Sequence, residues 1–149
     1  RGDLDVVNRL LDCKKIDVNL QDNNGRTALM YAFSFYTEYR GIVNRLLDCK
    51  ETDVNVQNNN GMTALMLVSR LGHCDVVNRL LDCKEIDVNL QDKDGKTALT
   101  RASRNGYWDV VEKLNKYLKA QRCELLTSLS CNLVEIPMDL INLIIDFIN

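Results

Sequence analysis

A segment of about 34 residues recurs along this chain, and that self-similarity constrains the fold more than any local propensity. The stretch Asp22-Asn-Asn-Gly25-Arg-Thr27-Ala-Leu29-Met returns as Asn58-Asn-Asn-Gly61-Met-Thr63-Ala-Leu65-Met, and again as Asp92-Lys-Asp-Gly95-Lys-Thr97-Ala-Leu99-Thr. Each glycine follows small polar residues suited to a tight turn that needs positive φ, so each of these stretches predicts a hairpin-like finger. A short helical stretch follows each Thr-Ala-Leu. After a break at Gly41, Gly72 or Gly106 comes a second helix with apolar residues at i, i+3 and i+4, as in Val77, Leu80 and Leu81. Such a unit cannot bury its apolar faces alone. Neighbouring units must stack and share a continuous core.

At these positions the chain resembles the ankyrin repeat, whose first helix usually opens with Thr-Pro-Leu-His. Thr27, Thr63 and Thr97 begin that motif here; alanine replaces the proline each time, and Met30, Met66 and Thr100 replace the histidine. The hydrogen bond that the family's Thr and His side chains imply is therefore absent. The family's second helix is closely matched by Gly72-His-Cys-Asp-Val-Val-Asn-Arg-Leu-Leu81. The resemblance implies an all-α ankyrin solenoid over residues 1–119, divided as 1–21 (partial), 22–57, 58–91 and 92–119, with C-terminal helices over 120–149. Two extra residues between Ala32 and Val43 place Phe35, Tyr36 and Tyr39 near a helix end. The chain opens at Arg1 with neither an initiator methionine nor a signal-peptide pattern, which reads as a piece of something longer.

The inventory of reactive groups argues against catalysis. One histidine, His73, must serve any Cys–His or Ser–His arrangement, and in this family that position is structural. No GxGxxG or GxxxxGK[ST] stretch is present to cradle phosphate, and the Asp/Asn-rich fingers lack the spaced ligands and final Glu of a calcium loop. Cys13, Cys49 and Cys83 each end the string Asn-Arg-Leu-Leu-Asp-Cys, so they are copies of one structural position rather than a metal or disulfide framework. Neither catalytic residues, nor a metal, nor a cofactor is expected. Reduced thiols imply a cytoplasmic setting. Nineteen basic against 21 acidic residues excludes the basic excess of a phosphate-gripping nucleic-acid binder, and no apolar run reaches the roughly 18 residues of a membrane span.

Binding is the remaining class, and the expected product is a monomeric protein–protein interaction module. An ankyrin stack presents finger tips and first helices as one extended face, whose predicted contact residues are Arg26, Phe35, Met62, Arg70, Lys96, Arg101 and Arg104. Basic residues concentrated there suggest an acidic protein partner.

Beyond residue 120 the period stops. The run from Ile136 and Pro137 to Ile148 predicts an amphipathic helix with Leu140, Leu143, Ile144, Phe147 and Ile148 on one stripe. One reading is a cap over the last repeat. A membrane-surface helix fits less well, because Asp139, Asn142 and Asp146 stand where Lys and Arg are expected. The run also resembles the opening of an F-box, with Ile136, Pro137, Leu140 and Ile144 at its motif positions. That resemblance implies a substrate adaptor that links a target to a cullin-type ubiquitin ligase through a Skp adaptor, as in ankyrin proteins of poxviruses and some intracellular bacteria, working in host cytosol. The alternative is a plain ankyrin scaffold whose C-terminal helices only cap the stack.

Overall fold

A computed structural model describes residues 4–13, 15–34 and 36–132, without the side chains of 36–38 and 129–132. The described residues form seven helices and no strand: α1 (Leu4–Leu11), α2 (Ala28–Ser34), α3 (Tyr36–Leu47), α4 (Ala64–Leu71), α5 (Cys74–Leu81), α6 (Ala98–Arg104) and α7 (Trp108–Asn132). The chain divides into two compact units, residues 1–114 and 115–149. In the first unit, α2, α4 and α6 stack side by side as the first helices of three successive repeats. The second helices α3 and α5 pack against α2 and α4 of their own repeats, and α1 packs against α3. Within the second unit, the Gln121 amide donates to the Tyr117 hydroxyl one helical turn earlier.

Each first helix begins where its threonine stops the extended chain. Thr63 and Thr97 are N-caps whose hydroxyls accept from the Met66 and Thr100 N–H groups, and Thr27 does the same for Met30. Met30 and Met66, at the family's histidine positions, are buried. Apolar packing by a thioether thus takes the place of a polar side-chain link.

The fingers are held without a β-ladder. Asp22 Oδ1 accepts from the Asn24 and Arg26 N–H groups at 2.9 and 2.7 Å, Asn58 Oδ1 from Asn60 and Met62, and Asp92 Oδ1 from Asp94 and Lys96. One side-chain oxygen therefore closes each turn. Successive fingers bond to each other: Asn59 N–H donates to the Asn24 carbonyl at 3.0 Å, and Lys93 N–H to the Asn60 carbonyl at 3.1 Å. Gly61, at φ 74°, needs both its left-handed conformation and its missing side chain, because a Cβ there would sit 2.9 Å from the Lys93 nitrogen.

A second ladder joins the loops between repeats. Asn19 donates to the Glu51 carbonyl and accepts from Asp53 N–H; 36 residues later, Asn55 donates to the Glu85 carbonyl at 2.5 Å and accepts from Asp87 N–H at 2.9 Å. Gln21 and Gln57 repeat the pattern, each bridging its own finger to the next repeat. The side chains of Asn89 and Gln91, next in the series, have no such partner among the described residues.

Burial comes from neighbours rather than from sequence alone. The string Asp-Val-Val-Asn-Arg-Leu-Leu-Asp-Cys-Lys stands at 5–14 and again at 75–84. In α5, packed on α4, Val76 is 1% exposed; the equivalent Val6 of α1, packed on α3, is 51% exposed. The two-residue insertion leaves its mark in α3, where Tyr39 departs from helical geometry (φ −113°, ψ 22°) and kinks the helix.

Candidate protein-interaction face

The residues predicted to meet a partner do not all reach solvent. Arg26 is exposed at the first finger, its guanidinium 5.7 Å from the centre of the Tyr31 ring. Arg70 and Arg104 are exposed in the last turns of α4 and α6, at the same place in successive repeats. Lys96 is half-buried. Met62 requires a correction: it holds the position of Arg26 and Lys96, but it is 6% exposed and belongs to the core of its finger. A charged side chain there must send its end to solvent, whereas an unbranched apolar one can fold inward. Phe35, Ile136, Pro137, Leu140 and Ile144 lie outside the described residues.

Arg101, expected as a contact residue, is also corrected to a structural cation. Its guanidinium pairs with the Asp92 carboxylate and lies 3.4 Å from Asp94 Oδ2. The Asp92 side chain has no solvent exposure. Burial works to raise its carboxyl, but donation from the Lys96 N–H, Arg101 and the Asp94 N–H outweighs that and holds it below the usual value. The same coupling appears in another form at the first finger, where the Tyr31 hydroxyl donates to Asp22 Oδ2 at 2.8 Å. Hydrogen bonds led by the Arg26 N–H lower the Asp22 carboxyl, and accepting duty by Asp22 raises the Tyr31 phenol. In the middle repeat, neutral Asn58 faces no such donor, because the equivalent position is Leu67. A donor nine residues after each finger Asp, and its loss where Asp becomes Asn, was the available signal.

Sequence reasoning also missed Trp108. The only tryptophan of the chain stands at the start of α7, 66% exposed.

The structure places His73 at the N-cap of α5, immediately before Cys74. Burial pushes the Cys74 thiol up, away from the thiolate that a nucleophile requires, with Asp109 and Asp75 adding to the effect of burial and Lys113 opposing it. Cys83 is raised by burial as well. Cys13, Cys49, Cys74, Cys83 and Cys123 carry free thiols, and no group of three metal-ligating side chains occurs among the described residues.

Two family models match the chain: one described as ankyrin repeats (3 copies) over residues 34–124, the other as ankyrin repeats (many copies) over residues 1–36. The chain belongs to the ankyrin-repeat family. No curated protein matches it. Ankyrin repeats bind protein partners. No helix among the described residues is long and apolar enough to cross a membrane.

Proposed function

We propose that this ankyrin chain is a non-catalytic interaction module that holds an acidic segment of its protein partner along Arg26, Arg70, Lys96 and Arg104. One observation carries the reading: these four cations, at the fingers and first-helix ends of the stack, have no carboxylate within 4.0 Å among the described residues, and Arg26, Arg70 and Arg104 are exposed. Unpaired cations on one face attract and orient an acidic partner, and their contribution is lost with salt. The test is binding of a fluorescein-labelled oligoglutamate at low ionic strength. Each exposed ion pair is worth about 0.2–1 kcal/mol, so reversing Arg70, Lys96 and Arg104 to Glu together weakens binding about tenfold or more. Equal binding by the triple variant removes the acidic-partner reading.

The finer part of the proposal concerns residues 136–148. The order of Ile136, Pro137, Leu140 and Ile144 supports an F-box-like segment, by which the chain acts as a substrate adaptor that captures a Skp-type subunit of a cullin ligase in the cytosol. The family match ends at residue 124, so this rests on that motif alone. A purified Skp-type adaptor should bind the chain and lose binding to Leu140→Asp/Ile144→Asp with little change in melting temperature. No capture by the unmutated chain leaves a plain ankyrin binding scaffold.

A further inference from the structure

The turns that join first and second helices in the last two repeats carry an apolar cluster that the basic face does not explain. Leu71 is 41% exposed, Tyr107 39% and Trp108 66%. Tyr107, from the last repeat, lies against Gly72 in the turn of the repeat before it, one residue after Leu71, and lines one groove with Trp108. Gly72 closes α4 in the left-handed conformation, and a Cβ at that position would overlap the Tyr107 ring. The ring therefore rests on bare backbone next to Leu71, with Trp108 following it in sequence. A shallow groove of about 220 Å³ opens beside it, lined by Gly72, Gly106, Tyr107, Trp108, Asp109 and Val110. A drug-sized ligand needs roughly 300–1,000 Å³, so this space suits a single side chain.

Arg70 precedes this patch by one residue and Arg104 by three, both exposed and both without a carboxylate within 4.0 Å among the described residues. Guanidinium groups and the indole N–H are donors only, so the polar requirement around the patch is for acceptors. Asp109, the acid in the groove lining, sits in the first turn of α7, where the positive end of the helix dipole offsets its charge. Exposed Trp, Tyr and Arg in one patch are the residue types that dominate interface energy.

We propose that Leu71, Tyr107 and Trp108 seat an aromatic side chain of the acidic partner segment while Arg70 and Arg104 take the carboxylates beside it. This rests on the basic-face reading and adds to it the identity of the anchor. The partner motif is an aromatic residue flanked by Asp or Glu.

Two fluorescein-labelled peptides test this, an oligoglutamate and the same peptide with tyrosine in place of two central residues, each titrated with the full chain and followed by anisotropy. The tyrosine peptide should bind about tenfold more tightly. Saturation with an unlabelled copy should shift the emission of Trp108, the sole tryptophan, to the blue. Trp108→Ala, confirmed as folded by circular dichroism, should bring the tyrosine peptide down to the affinity of oligoglutamate, and Arg70→Glu/Arg104→Glu should weaken both peptides. Equal binding of the two peptides to the unmutated chain overturns the aromatic seat and leaves the basic face standing, as does a tyrosine advantage that survives in Trp108→Ala. Failure of both peptides to bind overturns the basic-face reading as well.

Discussion

Asn55 tests whether the loop ladder holds one repeat to the next. Replacing it with alanine removes two hydrogen bonds across the repeat boundary, to the Glu85 carbonyl at 2.5 Å and from the Asp87 N–H at 2.9 Å. Glu85 and Asp87 are exposed, so water replaces the lost partner and no desolvated group is left stranded. At about 0.5–1.5 kcal/mol net per bond, with exposure favouring the lower half, the loss is about 1–2 kcal/mol. For a chain of this length that lowers the melting temperature by about 2–8 °C. Asn89→Ala is the internal control. Asn89 likewise follows Asp-Val and makes the same Asp–Asn turn, Asn89 N–H donating to Asp87 Oδ1 as Asn55 N–H does to Asp53 Oδ1, but its side chain has no partner in another repeat among the described residues. Its replacement should change stability by no more than about 0.5 kcal/mol. Urea unfolding of the two variants beside the unmutated chain decides the matter. Equal losses at 55 and 89 would mean that asparagine acts through its own turn, and no loss at 55 would mean that the ladder contributes nothing.

Other consequences follow from particular side chains. Ser69 is fully buried with no hydrogen-bond partner for its hydroxyl among the described residues, so Ser69→Ala should raise stability by about 1 kcal/mol, seen as a higher urea midpoint. Arg101→Ala should cost about 2 kcal/mol because it leaves the buried Asp92 carboxylate short of a donor, whereas Arg104→Ala should stay within about 0.5 kcal/mol; similar values would return Arg101 to the binding face. Because folding lowers the Asp92 carboxyl below 3.8, its contribution is present above that pH and is lost as pH falls through the lowered value. Asp92→Asn should therefore flatten the acid limb of a stability-against-pH curve below about pH 4, and an unchanged limb would refute the pairing. In a timed alkylation at pH 8, the exposed Cys13 and Cys123 should react before Cys74 and Cys83, whose thiols burial raises.

The architecture was legible because it is periodic. The spacing of Gly25, Gly61 and Gly95 and the Thr-Ala-Leu after each located the fingers and the starts of α2, α4 and α6. The face was less legible, because exposure depends on what packs beside a residue. Met62 shares its register with Arg26 and Lys96, and only the packed finger shows it turned inward. Only the nine-residue spacing shared with Asp22 and Tyr31 hints that Arg101 pairs with Asp92, which meets it once the finger folds over α6. Nothing in the sequence marks Trp108 as exposed; its exposure follows from the turn that Gly106 and Tyr107 make before it.

Amide hydrogen exchange of the chain, free and saturated with the tyrosine-containing acidic peptide, tests the central claim most directly, because it maps where a partner sits. Added protection is expected in the fingers around Gly25 and Gly95, at the ends of α4 and α6 that carry Arg70 and Arg104, and in the turn from Gly106 to Asp109. Protection confined to α5 and the Asn78–Cys83 side of the stack, with the fingers and turns unchanged, would contradict it.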